Sequence, residues 1–222
     1  MINIEFEDII KTTCPELRVA SIECEVVNTD FNAGLWAEID AFTETFRKEN
    51  KIEDINKRPA IAATRMAYKR LSKDPNRYRP SAEALCRRII KGDDLYKINT
   101  LVDLINLVSL ETGYSIGGFD ANKIEGDLCL GTGKKDEVFN AIGRGVLNIE
   151  NLPVYRDQIG GIGTPTSDEE RTKISSSTSR LLMIINAYSG EEGLQYAIDL
   201  SKTLINKYVF NNTKAEFQIN LY

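Results

Sequence analysis

Two apolar periods divide this chain. Residues 2–6 and 17–27 carry apolar side chains in the two-residue rhythm of strands, the second run through Val19, Ile22, Cys24 and Val26. Residues 31–48 instead place Leu35, Trp36, Ile39, Phe42 and Phe46 along one helical stripe. Pro59 suits the first turn of a helix running to about residue 71, because its missing N–H has no partner there anyway. After the loop DPNRYRP, helices are predicted over 81–90 and 100–112. From Tyr114 onward short apolar runs stand between Gly, Pro and Asp, at 114–116, 128–130, 146–149, 152–156 and 181–187, and read as strands. A last helix covers 191–208, and AEFQINL at 215–221 alternates like an edge strand. The class is α+β, helical first and strand-rich later. No Pro/Ser linker divides the chain, so a single domain over 1–222 is expected.

The helix at 100–112 is the most informative element. Thr100 followed by Asp103 is a capping-box-like start, and Gly113 supplies the usual stop. Leu101, Leu104, Ile105, Val108 and Leu110 are apolar, yet Asn106 interrupts that surface and Asp103 lies three residues before it on the same side. A buried helix carries polar groups only where something satisfies them. Asn106 is therefore either an internally bonded amide or part of the wall of a polar pocket.

Composition narrows the chemistry. With 222 residues, 42% of them hydrophobic, the chain can bury one substantial core. The start, MINIEFEDII, lacks the basic and apolar regions of a secretory leader. The longest strongly apolar run, 181–185, is too short to span a membrane. A cytoplasmic protein without membrane association is expected. Cys14, Cys24, Cys86 and Cys129 form no CxxC, and the chain has no histidine, so reduced thiols are expected and neither a metal nor a cofactor is. The lack of histidine also removes Ser-His-Asp and Cys-His mechanisms. Catalysis would fall to carboxylates, Tyr, Lys, Arg, backbone amides or the substrate itself.

Charge is uneven. The net charge is −5, but residues 65–97 hold ten bases against four acids. A local basic surface on an acidic protein suits a phosphate-bearing partner docked in one orientation, with Arg77, Arg79, Arg87 and Arg88 as the RNA-binding candidates. Ordinary solvated or internally paired cations would give the same composition. Tyr68 and Tyr78, interleaved with these bases, either stack on unpaired bases or pack in the core.

Three glycine-rich elements are candidates for a site. SIGGFD contains Gly117, Gly118 and Asp120; GRG holds Arg144 between Gly143 and Gly145; GGIGTPTSD at 160–168 carries Gly161, Gly163, Thr164, Thr166, Ser167 and Asp168. Such clusters donate backbone N–H groups to a carbonyl or oxyanion, or simply make tight turns. TSDEERT also reads as a helix start with Ser167 as N-cap.

These elements, in this order, resemble the B3/4 domain of the bacterial phenylalanyl-tRNA synthetase beta subunit. The matching letters are Ile98, Asn99, Val102, Asp103, Asn106, Glu111, Gly113, Phe119 and Asp120, continuing through Gly126, Gly143 to Gly145, Asp157 and IGTPTSDEERT. The similarity covers residues 81–187, flanked by a helical and strand part at 1–80 and a terminal helix and strand at 188–222. RYRPSAEAL, SIGGFD and PTSDEERT look still closer to free-standing B3/4 proteins. The resemblance implies a layered fold with a sandwich-like sheet of unusual topology and helices packed outside. It also implies a pocket for an aminoacyl group, since the synthetase domain hydrolyses mischarged Tyr-tRNA. Three positions depart from that pattern: the family's pocket His is Gly117, its Thr before the Asn is Ile105, and its Glu is Asp168. A pocket at the same place is expected, less polar than the family's and without its tyrosine specificity.

The resemblance carries Asp168 and Asn106 as catalytic candidates. Asn99, Asp103, Gly117, Gly118, Asp120, Arg144, Gly161, Gly163, Thr164, Thr166 and Ser167 are the substrate-binding candidates. The expected partner is tRNA or aminoacyl-tRNA, with trans-editing hydrolysis of a mischarged ester as the first reading. A non-catalytic RNA-binding module and a protein for an amino-acid-like small molecule are the alternatives.

Overall fold

The computed structural model describes residues 1–210 and 215–222. In chain order the elements are β1 (Ile4–Phe6), α1 (Asp8–Thr13), β2 (Arg18–Glu25), α2 (Ala33–Glu49), α3 (Pro59–Arg70), α4 (Ser81–Ile90), α5 (Thr100–Thr112), β3 (Ser115–Asp120) and β4 (Leu128–Thr132). They continue with β5 (Asn140–Ala141), β6 (Gly145–Val146), β7 (Pro153–Arg156), β8 (Gly161–Gly163), β9 (Arg180–Ala187), α6 (Leu194–Tyr208) and β10 (Gln218–Leu221), with short 3₁₀ turns between.

Two four-stranded sheets and a helical layer stack on one another. One sheet has the order β10-β2-β9-β3, all antiparallel; the other runs β1-β4-β7-β8, with β1 parallel to β4 and the rest antiparallel. Strand β9 lies at the centre of the first sheet and is apolar on both faces for that reason. Its Leu182 and Ile184 pack with Leu128, Leu130, Tyr155 and Ile162 between the sheets. Its Leu181, Met183 and Ile185 pack with Leu35, Leu101, Leu104, Val108 and Ile198 of the helices. An unbroken apolar run is what such a doubly covered strand requires. The result is the α+β sandwich with outer helices that the sequence implied.

Helix α5 is embedded in the helical layer, touching α2, α4 and α6. Its start differs from the expected one by a residue. Asn99, not Thr100, is the N-cap, its side chain accepting from the Val102 N–H at 3.1 Å. Asp103 reaches back to the Ile98 N–H at 3.0 Å, so the box motif is present but displaced. Its other oxygen accepts from the Trp36 indole N–H at 2.7 Å, which fixes α5 against α2. At the far end Gly113 takes φ 80°, and the Arg58 guanidinium donates to the exposed carbonyls of Leu110 and Glu111. Losing the cap should be measurable: Asn99→Ala is expected to cost about 1 kcal/mol in chemical denaturation. A change within error of zero would show that the cap is redundant.

Several boundaries move for physical reasons. The strand expected at 114–116 runs on through the glycine pair of SIGGFD as β3, with Gly117 and Gly118 paired to Ile184 and Met183. TSDEERT does not start a helix at Ser167. The Thr164 hydroxyl accepts from the N–H groups of Thr166 and Ser167, and the Ser167 carbonyl accepts from the Thr164 N–H, which closes a turn. Only a single 3₁₀ turn follows, at Glu170–Thr172, capped by Glu169. The strand expected at 146–149 shrinks to β6, because only Gly145 and Val146 pair with β5 in a hairpin. Helix α1, six residues long with only Ile10 buried, carries too little periodicity to be read from sequence.

Candidate functional site

A cavity of about 370 Å³ opens beside α5. Val102, Ile105, Asn106 and Ser109 form one wall, because positions three and four apart share a helix face. Ile116 and Gly118 of β3, Thr164, Ser167 and Asp168 of the turn after β8, and Lys173 and Ile174 form the opposite side. Ser81 and Leu85 of α4 close one end; Ile98 and Ile142, both exposed, stand at the rim. Seven aliphatic and seven polar or charged side chains share the lining, and the apolar ones supply the larger surface, a make-up that suits a small-molecule site.

The polar groups differ in what they are free to do. Thr164 is satisfied within its own turn. Asn106 is half-buried, and among the described residues its amide has no hydrogen-bond partner, which selects the pocket-wall reading over the internally bonded one. Lys173 is engaged by the Glu170 carboxylate. Among the described residues no cation is paired with Asp168. Its carboxylate has one hydrogen bond among the described residues, a long 3.3 Å contact from the Gly118 N–H, and burial pushes it up to about 7. A carboxylate poised near neutrality in a half-buried cavity either exchanges a proton there or waits for a cationic ligand.

The glycines of this region make room for protein rather than for ligand. A Cβ on Gly163 would stand 2.5 Å from the Phe119 ring and 2.8 Å from Asp168 Oδ1, and one on Gly117 would stand 2.7 Å from the same ring. Gly161 faces Phe139 and Val154 of the core. Only Gly118 lines the cavity, where Ile105 and Ile174 pack over it. The N–H groups of Thr164, Thr166 and Ser167 are spent inside the turn, so the expected row of free backbone donors does not exist there.

The structure thus gathers Asp168, Asn106, Gly118, Thr164 and Ser167 around one space and leaves the other candidates outside it. Asn99 and Asp103 are buried braces of the α5 start. Asp120 accepts from the Asn122 N–H and the Thr178 hydroxyl. Thr166 is buried, its hydroxyl bonded to those of Tyr68 and to the Tyr78 carbonyl, which ties the turn to α3. Gly117, Gly161 and Gly163 serve packing. Arg144 is exposed in the β5–β6 turn, next but one to Ile142, whose N–H is anchored on the Asp168 carbonyl. Sequence reasoning missed Ser81, Leu85, Ser109, Ile142, Lys173 and Ile174, which come together only through long-range packing; Ser109, one turn beyond Asn106, carried a signal in its spacing.

The basic segment is largely committed to the protein itself. Glu83 is buried on α4, its side chain 1% exposed, and meets Arg87 at 2.7 Å, Arg65 at 2.8 Å and Arg79 at 3.6 Å. Arg88 donates to the Asp94 carbonyl and lies 4.0 Å over the Tyr96 ring. Arg77 is exposed near the Tyr78 ring without a carboxylate partner among the described residues. Tyr68 is a core side chain, so it is not a stacking platform.

The model of the B3/4 domain family matches residues 63–201. A solved N-terminal fragment of the phenylalanyl-tRNA synthetase beta-subunit from Pyrococcus horikoshii has a similar fold, with a TM-score of 0.50 and 12% identity. The match covers 96% of this chain and 50% of that one, so the chain spans half the length of the fragment. No curated protein matches the sequence.

Proposed function

The chain belongs to the B3/4 domain family, and from that premise we propose that the cavity beside α5 receives the aminoacyl group of an ester, with aminoacyl-tRNA as its carrier, and hydrolyses it. The observation that carries this reading is the convergence of Asp168 and Asn106 on one cavity, the first without a paired cation and the second without a hydrogen-bond partner among the described residues. The Asn106 amide donates to the acyl carbonyl oxygen and orients it. The Asp168 carboxylate takes a proton from water as the water oxygen bonds to the acyl carbon. The ester C–O bond then breaks and the proton passes to the leaving ribose oxygen. The ester is already activated, so positioning and one proton acceptor suffice. The aliphatic surface of Val102, Ile105, Ile116 and Ile174 suits an apolar amino-acid side chain.

The commitment of Arg65, Arg79 and Arg87 to Glu83 favours a second reading, in which an amino-acid-like small molecule binds without an RNA carrier. A panel of mischarged tRNAs, read for release of the amino acid under single-turnover conditions, separates the two. Release above the uncatalysed rate for at least one pair is expected. Uncatalysed release across the whole panel, together with binding of a free small molecule, would transfer the assignment to the second reading.

A further inference from the structure

One turn beyond Leu85, which closes an end of the cavity, α4 presents Arg88, whose guanidinium lies 4.0 Å over the Tyr96 ring. Two residues after Tyr96 comes Ile98, at the cavity rim. Between them Lys97 reaches toward α2, its ammonium 5.4 Å from the centre of the Phe31 ring. The two loops that carry these rings are stapled together at the head of α5. There the Thr100 N–H donates to the Thr29 carbonyl at 2.8 Å, and the hydroxyls of the same two threonines meet at 2.6 Å. Asp103 in turn holds the Ile98 N–H. Both rings face solvent, Tyr96 being 66% and Phe31 51% exposed, and Ile98 is exposed beside them. Arg88 covers one face of Tyr96, and that degree of exposure leaves the other face open.

Single exposed rings are ordinary; two held in a strip that runs into an apolar cavity mouth mark a contact surface. Its charge indicates the partner. Over 88–98, Arg88, Lys91 and Lys97 stand against Asp93 and Asp94, Asp94 is paired with Arg47, and the exposed Asp30 precedes Phe31. So nearly balanced a strip does not draw in a long track of phosphates. What it presents is aromatic surface with a cation beside each ring. That combination fits the bases of an unpaired strand, because every base has a stacking face.

We infer that the strip through Phe31 and Tyr96 is a platform on which the unpaired end of an RNA strand stacks, Arg88 and Lys97 meeting the phosphates of that end. The inference rests on the aminoacyl reading of the cavity, since an aminoacyl ester on tRNA hangs from the last ribose of such a strand. The carrier is then held by its unpaired end rather than along its duplex. A base stacked at the platform brings the terminal ribose to the rim at Ile98, where the acyl group enters the cavity.

The test uses the full chain and filter binding of two uncharged RNAs, a blunt hairpin and the same hairpin with about four unpaired nucleotides at its 3′ end. The tailed hairpin is expected to bind at least about tenfold more tightly than the blunt one, with a shallow salt dependence set by the few phosphates of the tail. Tyr96→Leu and Phe31→Leu should each weaken tailed-RNA binding about tenfold. Tyr96→Phe and Phe31→Tyr, which keep a ring, should stay within about twofold of the wild type. Both side chains are exposed, and thermal melts check that the variants fold. Equal affinity for the two hairpins, or leucine variants that bind like the wild type, overturns the inference; if a mischarged tRNA is still deacylated, the aminoacyl reading stands without it. Ring-dependent binding of the tail with no ester released from any mischarged tRNA upholds the platform and removes the aminoacyl reading.

Discussion

Asp168→Asn is expected to slow aminoacyl-ester hydrolysis by about 10²–10⁴-fold and, above neutral pH, to make the protein more stable. Both effects come from one displaced equilibrium. The carboxyl titrates at about 7 in the fold because burial disfavours its charge and only the Gly118 N–H opposes that. In the unfolded chain it titrates near 3.9. Between those values the folded protein keeps a proton that the unfolded chain has released, so stability falls as pH rises through the window and is level above it. Asparagine has no proton to lose, so the variant lacks this slope. Its advantage should be absent near pH 4 and on the order of 2 kcal/mol at pH 8, allowing for the partial exposure of the group. Wild-type hydrolysis should rise across the same interval, since the proton acceptor is the ionised form. Thermal melts and single-turnover rates at pH 5 and pH 8 measure both quantities. Equal melting at pH 8 for the two proteins would mean the carboxyl is not held in a disfavoured state.

The second large effect belongs to Glu83→Gln, which should cost about 3 kcal/mol in chemical denaturation. Glu83 has almost no exposed surface, and three guanidinium groups from α3, α4 and the intervening loop converge on it. The amide keeps the shape but removes the charge that these partly buried arginines share. The same change releases Arg79 and Arg87, so binding to uncharged tRNA at low salt should strengthen and fall steeply as salt is added. Denaturation curves together with filter binding at two salt concentrations test the pair of effects. Unchanged stability would refute the structural role of the cluster. Lower stability without a gain in RNA binding would show that the arginines stay committed elsewhere.

What could be read from the chain divides by the range of its causes. Helices α2, α3, α4 and α5 were legible because stripe, proline and glycine stop are local signals, and the doubly buried β9 was legible as an unbroken apolar run. The pocket wall was partly visible in Asn106, a polar residue on an otherwise apolar helix. The glycine cluster was misread because its reason lies far away in sequence. Gly117 and Gly163 are small to admit the Phe119 ring, and Gly163 also to admit the Asp168 carboxylate. Glu83 looked like one of four acids diluting a basic surface. Its burial among three arginines depends on how α3, α4 and the loop between them fold together.

The chain contains one tryptophan, and its indole N–H is hydrogen-bonded to the carboxylate that also holds the Ile98 N–H at the cavity rim. All indole emission from this protein therefore originates a single side chain away from the mouth of the cavity, with the Lys97 ammonium 4.8 Å above the ring as a charged neighbour. The brace that fixes the head of α5 is in this way also an intrinsic optical probe: any occupant that shifts the rim alters the field around the only tryptophan fluorophore, without a label and without perturbing Asp168 or Asn106.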